Sequence, residues 1–145
     1  MTIATVTTDI NIGSFKIPSN GQGMIMNNYA QRENIKVDIT IPEPLMSKSL
    51  STVQWMHKKF KLSKIILCSI HQLPTKQKEV NKLLSNLRNV EFHFALEGIK
   101  GKGNKFLKNV IKEAKIFRKA SIIESSETNW IELFEMIQKK SKKKN

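Results

Sequence analysis

The sequence predicts an α/β domain, a single three-layer unit built on a mostly parallel sheet of four to five strands. Three observations predict it. Short apolar or alternating runs suited to strands recur at intervals filled by helical spacings. Lys64 to Ile70 is nearly continuous in apolar residues, as a strand buried on both faces must be. Val90 to Leu96 repeats that pattern, with a histidine inside it and a Glu-Gly pair after it.

The elements follow in order. Ile3 to Thr7 reads as the first strand, and Asn11 to Gly23 as a loop punctuated by Gly13, Pro18, Gly21 and Gly23. Met24 to Glu33 reads as a helix with Met24, Ile25, Tyr29 and Ala30 inward. Lys36 to Ile41 alternates at period two and is the second strand, which Pro42-Glu43-Pro44 should stop. Leu50, Val53, His57 and Phe60 share a helix face. After the third strand, Leu73-Pro74-Thr75 turns into a helix whose inner residues are Val80, Leu83, Leu84 and Leu87.

Gly98 to Gly103 reads as a loop. Asn104 caps a longer helix with the stripe Phe106, Val110, Ala114 and Phe117. Ser121 to Glu124 is a candidate fifth strand. Thr128 caps a last helix burying Trp130, Leu133, Phe134 and Ile137. Strands alternating with helices imply right-handed crossovers, and a flavodoxin-like order suits this size. A chain of 145 residues makes one domain the default, here residues 1–138, followed by a disordered lysine-rich tail at 139–145.

Composition narrows the function. Cys68, the one cysteine, excludes an internal disulfide and reads as a buried inert thiol, in keeping with a cytoplasmic protein. No stretch approaches the roughly 18 apolar residues of a membrane span. The N-terminus lacks a basic region followed by an apolar one, so it reads as a strand and not as a signal peptide. Net charge is +13, and five lysines fall in the last seven residues; without them +8 remains. Only Arg32, Arg88 and Arg118 are arginines. Base reading favours arginine forks, and single-strand binding favours aromatics among basic residues. The charge therefore allows a nucleic-acid partner without favouring one.

The candidate site lies at the carboxyl ends of the strands, where open α/β sheets bind their ligands. Thr7-Thr8-Asp9, Ser69-Ile70-His71-Gln72 and Glu97-Gly98 would meet on that edge, with Glu43 able to join them. His93 and Glu97, four apart in an extended run, would share a face and supply acid–base chemistry. Asp9, Gln22, Ser69 and His71 would bind substrate. Metal binding is not expected, because the three histidines and one cysteine lack ligand spacing. No cofactor is expected either, as no Gly-x-Gly-x-x-Gly follows the first strand. Gly98 to Gly103 is not a Walker loop, since no serine or threonine follows its lysines, although its backbone N–H groups could hold an anion.

Ile17-Pro18, Gln22, Tyr29, Ser69, Leu73-Pro74 and His93-Phe94-Ala95-Leu96-Glu97-Gly98 occur here in the order in which they mark one family. In these residues, spread over about positions 5 to 100, the chain resembles the sporadic carbohydrate cluster family of small bacterial proteins. The resemblance implies work in surface-polysaccharide or lipopolysaccharide gene clusters, with no established reaction. The chain departs from that pattern where the family carries an arginine soon after the first strand; here Asp9 or Lys16 stands. It departs again after the second strand, where the family has Thr-Glu-Tyr and this chain has Thr40-Ile41-Pro42, its acid coming at Glu43.

The order of elements also resembles the catalytic domain of serine recombinases, so the sheet could be resolvase-like. Thr7 or Thr8 would stand in place of the nucleophilic serine. The phosphate-binding arginines are missing near the first strand and after the third, and strand transfer needs such a clamp. Three readings follow. The first is a protein of surface-carbohydrate biosynthesis, an enzyme or a binder, whose ligand is a sugar or sugar nucleotide. The second is a recombinase-like nucleic-acid module without recombinase activity. The third is a homodimeric interaction protein using Trp55, Met56 and Trp130.

Overall fold

The computed structural model describes residues 2–8, 16–43, 50–125 and 137–139. Five strands form one sheet: β1 (Thr2–Thr8), β2 (Ile39–Glu43), β3 (Leu62–Leu67), β4 (Glu91–Phe94) and β5 (Ile99–Gly101). Their spatial order is β2-β1-β3-β4-β5. The first four are parallel, and β5 runs antiparallel to β4. Helices α1 (Ser19–Arg32), α2 (Ser51–Phe60), α3 (Gln77–Asn86) and α4 (Asn104–Ser125) pack with the sheet in an α/β domain. A short 3₁₀ turn, Ile70–Gln72, follows β3.

Alternation along the strands divides the core in two. Ala4, Val6, Ile65, Leu67, Phe92 and Phe94 face one side and pack with Val53 of α2, Leu83 of α3 and Leu107, Val110 and Ala114 of α4. Ile66 and Cys68 face the other side and pack with Met26, Tyr29 and Ala30 of α1. β3 is therefore covered on both faces, which explains the unbroken apolar run from Ile65 to Cys68. Three layers result, with α1 the helix on one face among the described residues.

Four expectations change. α1 starts five residues before Met24 and runs through Gly21 and Gly23, each costing about 1 kcal/mol in a helix interior. Hydrogen bonds from Gln22 to Thr8 and Ile17 offset that cost. Gln22 and Met26 line its buried face with Tyr29 and Ala30, while Met24 is exposed. Pro42 does not stop β2 but lies within it, opposite Thr7. β2 is an edge strand, so the N–H that proline lacks is not needed by a further neighbour.

β4 ends at Phe94, and the glycine-rich run after it forms β5 rather than a loop. Gly101 is needed there, because a Cβ would stand 2.6 Å from the Phe106 ring. Ser121 to Glu124 continues α4 instead of forming a strand; the place beside β4 is already held by β5. The buried stripe of α4 is Leu107, Val110, Ile111 and Ala114, with Phe117 59% exposed. Ile137 is exposed as well. Trp130, Leu133, Phe134 and residues 140–145 of the tail lie outside the described residues.

Candidate functional site

The strand order places a topological switch point between β1 and β3. The chain leaves β1 for β2 on one side and returns to β3 on the other. The carboxyl ends of these strands bring together Thr8, Glu43 and Ser69–Gln72, with Glu97 arriving from the turn after β4.

Each polar side chain here is held by backbone. Gln22 is fully buried. Its Oε1 accepts from Thr8 N–H at 3.0 Å, and its Nε2 donates to Thr8 O at 2.7 Å and to Ile17 O at 2.9 Å. Gln72 does the same for the next strand: Oε1 accepts from Ser69 N–H at 3.0 Å, and Nε2 donates to Val6 O at 3.2 Å. Ser69 Oγ–H donates to Glu97 Oε2 at 3.0 Å, and Ile70 N–H donates to Glu97 Oε1 at 2.6 Å. Ser69 Oγ also accepts from His71 N–H at 3.3 Å and so caps the 3₁₀ turn.

Glu97 is exposed as a residue, while its carboxylate is drawn onto the end of β3. Partial loss of water raises its pKa, and the hydrogen bonds from Ile70 and Ser69 oppose that rise. Glu43 accepts from Val53 N–H at 2.7 Å through Oε1 and so serves the first turn of α2, which no side chain of its own caps. Its Oε2 is buried without a hydrogen-bond partner among the described residues. Sequence reasoning gave Glu43 a lesser place, yet it is the acid at the end of β2.

His93 sits elsewhere. It pairs across the sheet with Ile66, on the face covered by α1. Its Nδ1 lies 2.8 Å from Tyr29 Oη and its Nε2 3.4 Å from Glu91 Oε1. Burial lowers its pKa, with Glu91 opposing, and burial raises that of Tyr29. A neutral imidazole that accepts from the tyrosine O–H satisfies both shifts. The chain turns after Phe94, so the period-two relation between His93 and Glu97 does not hold; the two carry separate hydrogen-bond partners.

The structure thus brings Ser69 and Glu97 together, with the His71 backbone N–H on Ser69 and the His71 ring 5.1 Å from that of Phe117 on α4; it places Gln22 beneath Thr8, and sets His93 under α1. Asp9 lies outside the described residues. His57 is structural, accepting from Leu62 N–H at 3.0 Å. Burial, with Glu97 adding to it, pushes the Cys68 thiol up to about 11, so it is not a thiolate near neutrality. Among the described residues no cluster of three or more His, Cys, Asp or Glu side chains is placed to hold a metal, and no helix is long and apolar enough to cross a membrane.

No family model matches the chain, and no curated protein matches it. Among solved structures, it is similar to the crystal structure of the N-terminal catalytic domain of TP901-1 integrase. The TM-score is 0.55 at 14% identity, over 83% of this chain and 98% of that one. The likeness is one of fold alone: the sheet and its helices have a resolvase-like, three-layer arrangement.

Proposed function

We propose that the chain is a protein of surface-carbohydrate biosynthesis that takes a sugar or activated sugar at the carboxyl edge of its sheet. The observation that carries this reading is the switch point between β1 and β3, where open α/β sheets bind ligands. Glu97 is the group best suited to a hydroxyl-rich ligand. It is accessible, its orientation is fixed by Ser69 and Ile70, and a carboxylate accepts more hydrogen bonds than those two supply. It would act as anchor or base, and Asp9 and His71 are the further candidates for holding the ligand. Gln22, Ser69 and the buried His93 would hold the edge in shape.

The test is thermal melting with a panel of sugar nucleotides and acidic sugars. A rise in Tm with at least one of them, lost in Glu97→Gln while the circular dichroism spectrum is kept, is the expected result. A flat response of the parent chain across the panel overturns the reading.

A second reading, a nucleic-acid-binding module without strand-transfer chemistry, is supported by the net charge of +13 and by the resolvase-like fold. The carboxyl edge is not suited to it. No arginine stands at 9–18 directly after β1 or at 68–76 directly after β3 to clamp a phosphate there.

A further inference from the structure

The exposed face of α4 carries Lys108, Lys112, Lys115 and Lys119, at spacings of four, three and four. All four are exposed and line up along one side of the helix. From first to last the row spans about 16 Å at the α-helical rise. No acidic residue stands three or four positions from any member; those positions hold Asn, Ile, Arg and further lysines. Among the described residues none of the four is in an ion pair. Each like-charge neighbour costs the helix roughly 0.2–0.5 kcal/mol. A surface helix that served solubility alone would place glutamates among these lysines. This one leaves them uncompensated among the described residues.

The row borders a groove. One cavity of about 210 Å³ is lined by Gln77 and Val80 of α3 with Lys108, Ile111, Lys112 and Lys115. A second, of about 330 Å³, lies between Thr75 and Lys112, Lys115, Ile116 and Lys119. Sharing Lys112 and Lys115, the two make one trough, with lysines along it and isoleucines in its lining.

We propose that this trough is an interface for the phosphodiester backbone of a single-stranded nucleic acid. The proposal rests on the second reading above and is independent of the sugar site. A flat bilayer surface does not enter a concave trough, whereas a strand can lie along one. A single row meets the phosphates of one strand, while a duplex presents two backbones. Lysines act on phosphate as point charges and do not read bases, so binding is independent of sequence. Ile116, 63% exposed, offers apolar surface to sugars and bases, while Val80 and Ile111 form the buried floor.

Fluorescence anisotropy of a labelled oligothymidylate of about 12 nucleotides with the full chain tests it. Four phosphates neutralised on a single strand give a slope of about −3 in log K against log salt, or roughly 50-fold weaker binding from 50 to 200 mM. The double variant Lys112→Gln/Lys115→Gln should halve that slope, leaving roughly sevenfold over the same range. Replacing the five tail lysines with glutamine in a separate full-length variant controls for the tail and should leave the slope near its parent value. Circular dichroism and melting of each variant show that it folds.

Unchanged binding in the row variant, or its loss in the tail variant alone, overturns the trough and leaves the second reading standing. No binding by the parent at 50 mM salt overturns both. Tighter binding to a DNA duplex, to phosphatidylserine vesicles or to polyglutamate overturns the single strand as occupant.

Discussion

At the carboxyl edge of the sheet, Gln22, Gln72, Ser69 and Glu97 direct their polar atoms onto the chain's own backbone. Along α4, four lysines direct theirs at nothing within the described protein. The hydrogen bonds of those four side chains are spent on holding the strand ends. The second region is strained by its own charge, and the fold does not need it. A residue that stands out in the sequence can thus be one whose hydrogen bonds the fold consumes. One that looks like ordinary surface charge can be the group left available to a partner.

Substitutions should separate the two regions sharply. The largest effect is expected for Gln22→Leu. It removes three hydrogen bonds from a fully buried side chain and leaves Thr8 N–H, Thr8 O and Ile17 O without that partner. Each buried group so stranded costs about 1–3 kcal/mol, so a loss of at least 3 kcal/mol is expected in urea unfolding. A loss below about 1 kcal/mol would show that water replaces the amide and that the brace is dispensable.

Next comes the acid response of His93. Its pKa is lowered by burial from 6.5, with Glu91 opposing, so the unfolded chain takes up a proton before the folded one does. The sign follows: stability is complete above about 6.5 and falls as the pH drops below that value toward the folded pKa. Melting temperatures of the parent and of His93→Gln, followed from pH 8 to 5.5, should show a decline in the parent that the variant lacks. Parallel curves would break the assignment. Glu97 contributes with the opposite sign. Its pKa is raised in the fold, so its contribution is present at acid pH and is lost as the pH rises through the folded value.

The smallest effect should fall on the lysine row. Lys112→Gln removes like-charge contacts with Lys108 and Lys115 and should raise stability by a few tenths of a kcal/mol at low salt, fading as salt is added. A measurable loss of stability would mean that the row packs structurally, and the comparison would weaken.

Much of the fold was legible because burial writes itself into residue type. Ile65 to Cys68, from the second half of β3 onward, is unbroken in apolar residues because α1 covers one face and α2, α3 and α4 the other. The inner residues of α3, Val80, Leu83 and Leu84, follow from helical spacing alone. Other features were not legible, and each for a physical reason. Pro42 reads as a strand breaker unless β2 is known to be an edge. Gly98 to Gly103 reads as a loop unless Phe106 is known to lie against Gly101. Ile122-Ile123 suits a strand by β-branching, but α4 extends through it and β5 occupies the place beside β4.

The site divides in the same way. Ser69 and Glu97 belong together in sequence reasoning because both follow parallel strands, and they share a 3.0 Å hydrogen bond. His93 and Glu97 belonged together only if β4 ran on past Phe94.

By itself the sequence determined the α/β class, the parallel core strands and the excess of positive charge, since hydrophobic period and composition are local properties that need no partner to be read. The tertiary structure alone decided which polar groups are consumed by the fold and which stay open. A hydrogen bond such as Gln22 to Thr8, or the meeting of Lys112 with Val80 of α3 along one trough, depends on what lies across space, and neighbours in space are not neighbours in the chain.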